Sequence, residues 1–243
     1  MLDIAIVLVE PKYAGNIGGV ARAMKNFGLK ELILVNPCKI NSDAYKMAMK
    51  GKDILDNARI EKKVEEVIKN FDYVVGTSDV STDSEKYYLR QALSPSKFAN
   101  WLKKVEGRIC ILFGREDYGL FNEELERCDI LLTIPGNKEY PVMNISHAAV
   151  VIFYELYKEC ANSYPLHRKK LKKIEKNKLL DTFGLFLDKI NYPSHKKKGT
   201  RIMFRRILGR AGISNWEFHR LMGVFSKGIK KLDIKYPKEK PIN

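Results

Sequence analysis

Five runs of consecutive apolar residues, rich in β-branched side chains, punctuate the first part of the chain: DIAIVLV (3–9), ELILV (31–35), DYVVG (72–76), RICILFG (108–114) and DILLTI (129–134). A strand wetted on one face alternates apolar and polar residues, whereas an unbroken run has to be buried on both faces, as in a parallel sheet. Between and after these runs the apolar spacing turns helical, which predicts helices near 17–27, 61–70, 95–105, 122–128 and 144–160. Such alternation is an α/β pattern, a doubly wound parallel sheet with helices on both faces, and ligands of such sheets collect beyond the carboxyl ends of the strands.

The pattern changes at CANSYPLHRKK (160–170). Beyond it the chain reads as helices at about 169–190, 200–210 and 214–231, broken by NYPSHKKKG, and contains no strand-like run. We therefore expect two domains, 1–160 and a small helical domain over 161–243. At 243 residues and 45% apolar, the chain is long enough to bury a sizeable core.

Charge sharpens this division. Residues 1–160 hold 22 Lys+Arg against 23 Asp+Glu, and residues 161–243 hold 22 against 6, so the whole excess of +15 comes from the second part. A near-neutral body with a basic appendage is the footprint of a nucleic-acid binder, because Lys and Arg replace the counterions condensed on phosphates. Arg201, Arg205, Arg206 and Arg210 cluster on one predicted helix just after Lys196, Lys197 and Lys198; arginine forks suit phosphate, and these seven are the candidate RNA contacts.

Other chemistry is disfavoured. No run reaches the ~18 apolar residues of a membrane span, and the start lacks a basic segment and a cleavage site, so a cytoplasmic protein without a membrane partner is expected. Cys38, Cys110, Cys128 and Cys160 are scattered, with no CxxC pair, and the four histidines form no HExxH or Cys/His cluster. Neither a disulfide framework nor a metal is expected, and Cys110 reads as core. His147, on the apolar helix 144–160, reads as a hydrogen-bonded structural residue.

Three segments combine small residues with polar side chains that are expensive to bury unpaired: NIGGVARAMKNFG (16–28), LFGREDYGL (112–120) and YPVMNISHAAV (140–150). Each falls at the end of a predicted strand. In the first, Gly15, Gly18 and Gly19 suit close approach of another molecule, and the helix start suits an anion; Asn16 and Arg22 are placed to face a site there. A dinucleotide fold would put an acid at the end of the second strand, where this chain has Asn36-Pro37, so NAD is disfavoured. The second segment sets Glu116 between glycines directly after a buried strand. The third opens a helix, AAVVIFYEL, that is apolar almost all round and is expected to be buried, most naturally against a second subunit.

The order and content of the three segments resemble the signature motifs of SPOUT-class RNA 2'-O-methyltransferases, SpoU/TrmH branch, and the chain resembles the archaeal TrmJ-type tRNA methyltransferases of that class over nearly its full length. The resemblance implies an S-adenosylmethionine-dependent enzyme acting on the ribose of tRNA, at cytidine 32 of the anticodon loop, and a homodimer with a trefoil knot around the second and third motifs; the alternatives are a 2'-O-methyltransferase acting on another tRNA position or on ribosomal RNA, and a non-catalytic RNA-binding protein of the same fold. It assigns Asn16, Arg22, Glu116 and Asn144 to the catalytic centre. The cofactor pocket would be made by Thr77, Ser78, Phe113, Gly114, Arg115, Gly119, Leu120, Ile134, Pro135, Met143, Asn144 and Ile145. The resemblance casts Arg22 as the residue that activates the 2'-hydroxyl. Arginine is a poor proton acceptor, so a clamp on phosphate and developing alkoxide is the favoured role, with base and clamp both left open by the sequence and Glu116 orienting Arg22 or an RNA hydroxyl. One departure stands out: where many bacterial relatives have a serine two residues before the Asn, this chain has Val142, and Ser146 or the Thr77-Ser78 loop is the nearest substitute.

Overall fold

Strand β1 (Ile4–Val9) is buried at every position and lies at the centre of the architecture. The computed structural model describes residues 3–79, 92–137, 139–160 and 173–235, and the chain divides into two compact units, Met1–Arg168 and Lys169–Asn243. In the first, β1, β2 (Glu31–Val35), β3 (Arg59–Glu61), β4 (Tyr73–Thr77), β5 (Ile109–Phe113) and β6 (Ile130–Leu132) form one sheet in the order β3-β2-β1-β5-β4-β6. Every pairing is parallel, with Ile6 beside both Leu32 and Ile111 in the central register.

Seven helices cover this sheet unequally. Alternate residues of β1 point to opposite sides, Ile4, Ile6 and Leu8 into one core and Ala5, Val7 and Val9 into the other. The first core is closed by α1 (Ala14–Asn26), α2 (Ser42–Ala48), α3 (Lys52–Asp56), α5 (Pro95–Leu102) and α7 (Ile145–Cys160); the second by α4 (Val64–Ile68) and α6 (Asn122–Leu125). Cys110 sits in the second core as expected.

The α1–α2 contact explains part of the glycine pattern. A Cβ on Gly18 would lie 2.0 Å from the carbonyl oxygen of Ala44, and one on Gly51 2.7 Å from that of Ala21. α1 therefore touches α2 and the turn that follows it backbone to backbone, and no larger residue fits at either position. Gly19 faces Ser146, whose Cβ would be 2.9 Å from an added methyl. These glycines make room for the protein's own chain, which corrects the expectation that Gly18 and Gly19 await another molecule.

The sequence pattern missed α2, α3 and β3. It also began the helix of 200–210 too late: HKKKG, read as a break, lies inside a helix that starts at Ser194. The second unit consists of α8 (Lys173–Lys189), α9 (Ser194–Ala211) and α10 (Asn215–Lys235) in the described residues, with Leu179, Leu180, Leu208, Ile213 and Phe218 forming its buried cluster. Gly212, in the left-handed region at φ 55°, ends α9 and donates to the carbonyls of Leu208 and Gly209. The segment expected to link the units, 161–170, and the start of the helix expected from 169 lie outside the described residues. No helix among those residues is long and apolar enough to cross a membrane.

Candidate active site

The sheet's topological switch point lies between β1 and β5, whose connections leave in opposite directions, and the three motifs meet there. After β5 the backbone doubles back: Arg115 and Gly119 exchange hydrogen bonds of 3.1 and 2.8 Å, Gly119 adopts φ 65°, and an added Cβ on Gly114 would fall 2.1 Å from the Gly119 carbonyl carbon. This tight turn presents Glu116. Its carboxylate accepts from the backbone N–H of Lys12 (3.0 Å) and Tyr13 (3.4 Å) and from Asn16 Nδ2 (2.9 Å).

Glu116 thereby supplies what α1 lacks. The residue before that helix, Tyr13, caps nothing with its side chain, and the first turn has no acid of its own. The negative charge that favours a helix start arrives from the second motif instead. The helix start expected to hold an external anion is thus occupied by Glu116, which binds neither Arg22 nor any other cationic side chain among the described residues.

One acceptor fixes the rest of the network. A carboxylate only accepts, so Asn16 must turn its amide nitrogen to Glu116 and its oxygen away. That oxygen accepts from Asn144 Nδ2 at 3.0 Å, which leaves Asn144 Oδ1 to accept from Ser146 N (2.9 Å) and Ser146 Oγ (2.7 Å). Glu116, Asn16, Asn144 and Ser146 form a single directed chain that ties together the ends of β1, β5 and the loop before α7. A change at any member is felt by all three motifs.

Arg22 stands apart from this chain. It is exposed, on the α1 face that carries Gly19 one turn earlier, and has no hydrogen bond or ion pair among the described residues. Gly19 in turn packs on Ser146, so the network and the unengaged guanidinium share one side of the α1–α7 contact.

Beside the network opens a cavity of about 350 Å³, enough for a nucleoside-sized ligand. Of the expected cofactor residues, Thr77, Ser78, Phe113, Gly114, Arg115, Gly119, Leu120, Ile134, Met143 and Ile145 line it, whereas Pro135 and Asn144 do not. Leu132 and Ile152 complete its apolar wall, and Asp79, Glu116 and Asp117 add carboxylates, of which Glu116 is engaged in the network and Asp117 is paired with Lys12. Val142, at the departure from the serine pattern, is on the lining too. Apolar walls suit a purine, and a carboxylate suits a cationic ligand. Leu132 and Ile152 escaped the sequence reading because a strand end and a core-facing helix position look like packing; only their juxtaposition reveals the cavity.

Arg115 contributes its backbone here. Its guanidinium is buried, bonded to Glu10 (2.9 Å) and to both oxygens of Glu124 (3.0 and 3.1 Å), and lies 3.9 Å from the Phe121 ring centre. Burial opposes its charge, but the two carboxylates outweigh burial and raise its pKa. It braces the turn that carries Glu116.

Several other expectations need correction. Arg206 is 2% exposed, on the inward stripe of α9 with Ile202, so it cannot be a surface phosphate contact. Lys197 is paired with Asp188 at 2.7 Å, and Arg201 lies 3.7 Å from Asp181; Lys196 and Lys198 are exposed, while Arg205 and Arg210 are half-buried. The α7 helix is buried on one side only. Ile145, Ala149, Ile152, Phe153 and Leu156 face the core, while His147, Val150, Tyr154 and Tyr157 are exposed, and the side chain of His147, expected to be a hydrogen-bonded structural residue, has no hydrogen bond among the described residues. No group of His, Cys, Asp or Glu among the described residues could hold a metal ion.

Comparison with known proteins places this geometry in a wider group. Residues 3–154 match the SpoU rRNA Methylase family. The chain is 41% identical over 229 residues to a tRNA (cytidine-2'-O-)-methyltransferase TrmJ of Methanocaldococcus jannaschii, covering 93% of this chain and 99% of that one. It is 32% identical over 228 residues to the protein of the same name in Sulfolobus acidocaldarius, covering 93% of each. Among solved structures, TrmJ of Z. mobilis ZM4 superposes with a TM-score of 0.67 at 27% identity, over 92% of this chain and 97% of that one.

Proposed function

This chain belongs to the SpoU rRNA Methylase family, and from that premise we propose that it methylates the ribose 2'-hydroxyl of tRNA, with S-adenosylmethionine as donor. The observation that carries the reading is the single network that joins Glu116, Asn16, Asn144 and Ser146 beside a cavity lined by apolar side chains and three acidic residues. The donor supplies an activated methyl group on a sulfonium. A C–O bond forms to the 2'-oxygen as the S–CH₃ bond breaks, its electron pair stays on sulfur, and the hydroxyl proton passes to water.

The residues of this chain divide that work. Phe113, Leu120, Ile134, Met143 and Ile145 would hold the donor's apolar parts and exclude water, Asp79 would offer its carboxylate to the cationic part, and the network holds the three loops in register. Arg22 remains charged, grips the phosphate next to the target ribose and stabilises negative charge growing on the 2'-oxygen. Within the basic unit, Lys196, Lys198, Arg201, Arg205 and Arg210 take the tRNA backbone, in an interaction set by counterion release. The target is cytidine 32 of the anticodon loop, in the cytoplasm; the M. jannaschii relative bears cytidine in its name.

Two further features belong to the same proposal. Exposed Val150, Tyr154 and Tyr157 on α7 form the contact between two copies of the chain, which explains an apolar helix left half uncovered. The other is a trefoil knot around the second and third motifs; in its support, described residues from two separate segments bond to β6 and the residue after it, Ser78 N donating to Leu132 O (2.9 Å), Leu93 N to Leu131 O (2.8 Å) and Thr133 N to Leu93 O (3.0 Å).

The reaction is tested by incubating the protein with tRNA and methyl-labelled S-adenosylmethionine, then digesting the RNA in alkali. A 2'-O-methyl group blocks cleavage of the adjoining phosphodiester, so label is expected in alkali-resistant dinucleotides. Label released in mononucleotides would place the methyl on a base and overturn the reading.

A further inference from the structure

The chain has two tryptophans, and they are used in opposite ways. Trp101 is buried in the first unit, stacked on Phe98 and edge-on to Tyr73. Trp216, in the first turn of α10, is 66% exposed. An indole left in water forgoes the free energy of its burial, so its exposure invites a partner.

Its surroundings specify which kind. Helical spacing puts Trp216, Arg220, Gly223, Lys227, Lys230 and Lys231 on one face of α10, opposite the face that packs through Phe218, Leu221, Met222 and Phe225. Trp216, Arg220 and the three lysines are exposed, and an added Cβ on Gly223 would meet nothing within 4 Å, so the middle of the stripe is flat and open. The Arg220 guanidinium lies 4.9 Å from the Trp216 ring centre and holds the indole by a cation–π contact. The two acids of this helix do not counter the stripe: Glu217 is occupied by Ser214, accepting from its N and Oγ at 2.6 Å each, and Asp233 is paired with Lys189. The Ser214–Glu217 box also fixes the helix start, and with it the place of the indole.

An aromatic ring at one end of a line of cations is the arrangement that binds single-stranded nucleic acid, the ring taking a base and the cations following the phosphates. From Trp216 to Lys231 the stripe runs about 22 Å, a few nucleotides of extended strand. We propose that Trp216, braced by Arg220, is a stacking platform for an unpaired base of the RNA, and that Lys227, Lys230 and Lys231 carry the adjoining backbone. This rests on RNA being the substrate, and adds that α10 reads an unpaired stretch of it.

Intrinsic fluorescence tests the platform directly, since Trp101 is shielded and Trp216 is not. A labelled single-stranded RNA heptamer, a blunt duplex of matching sequence and whole tRNA are titrated into the full chain, with binding followed by anisotropy. Saturation with the heptamer should quench the solvent-exposed part of the emission, Trp216→Phe should remove that quenching while keeping most of the affinity, and Trp216→Ala should weaken heptamer binding roughly 5- to 100-fold. Arg220→Gln should weaken it less and lower the salt slope by about one unit or slightly less. If the heptamer binds without quenching, if duplex quenches equally, or if Trp216→Ala binds as wild type does, the platform is refuted. If tRNA itself does not bind, it is the assignment of an RNA substrate that fails.

Discussion

In the first unit Glu116, Asn16, Asn144 and Ser146 have their polar atoms committed to one another, and Arg22, beside them, has no partner among the described residues. In the second, most of the described cations stand on helix surfaces, some weakly paired, while Arg206 alone of the described arginines is buried. The contrast separates two physical tasks. Methyl transfer depends on placing a few groups to within a fraction of an ångström, and a closed network with a fixed direction does that. Holding a polyanion depends on the number of cations, is long-ranged, and tolerates imprecise side chains. A net charge of +16 on the helical part and −1 on the rest is the large-scale expression of this division.

The largest effect should come from the unengaged cation of the first unit. Arg22→Ala is expected to lower single-turnover methyl transfer by about 100-fold or more while calorimetric titration shows nearly unchanged cofactor affinity. Arg22→Lys should also be poor, since an ammonium cannot reproduce the planar fork. Near-normal turnover in either variant would remove Arg22 from the chemistry and dissolve the contrast.

The complementary change deletes residues 161–243. The remaining chain should still bind cofactor, because all three motifs precede the cut, whereas tRNA affinity should fall tenfold or more and its salt slope should flatten by several units, close to one per lost phosphate contact. An unchanged slope would show that the basic unit does not touch RNA.

A subtler break is Glu116→Gln, which keeps shape but turns an N–H donor toward Lys12 N, Tyr13 N or Asn16 Nδ2. The site is half-buried and open to water, so a donor facing a donor costs about 1 kcal/mol and transfer should drop roughly 5-fold; Asn16→Asp, which sets two carboxylates face to face, should drop it at least as far. Equal activity in both would mean that the network is ornamental to the reaction.

Much of this division could be read in advance, and the failures are informative. The strands were legible because parallel strands buried on both faces leave continuous apolar runs. β3 was not, since Arg59, Ile60 and Glu61 lie at the sheet edge with no run to betray them. α2 and α3 were hidden because their contact with α1 is made by Ala44, Ala48 and Gly51, small residues that leave no apolar periodicity. In the site, the residue types at 16, 22, 116 and 144 marked the motifs, but of the two partners offered for Glu116, Arg22 or an RNA hydroxyl, charge favoured Arg22, whereas geometry sets the carboxylate on the uncapped start of α1. Arg206 was misread for the opposite reason. Its spacing from Ile202 placed it on the inward stripe, yet residue type argued for the surface.

Packing offers a smaller test of the first unit. Gly18→Ala pushes a methyl into the Ala44 carbonyl and should destabilise the protein by about 1–3 kcal/mol, seen as a lower midpoint in denaturant, with activity per folded molecule reduced as α1 shifts. Unaltered stability would show that the α1–α2 contact yields freely.

The smallest effect concerns acid. The Arg115 hydrogen bond holds the Glu10 carboxyl below its ordinary value of 4.5, so this pair contributes stability that is fully present above that value and is lost as pH falls through the lower folded one. Glu10→Gln should therefore flatten the acid limb of the stability curve slightly and leave neutral pH little changed; an identical limb would mean that the pair is not felt in folding.

The most direct test of the whole account is to map ribose methylation by mass spectrometry of nuclease fragments after incubating unmodified tRNA with S-adenosylmethionine and either the wild-type chain or Arg22→Ala. The account predicts one 2'-O-methylated cytidine, at position 32 of the anticodon loop, with wild type and none with the variant. Methylation confined to bases, or the absence of any methylated ribose with the wild-type chain, would contradict it.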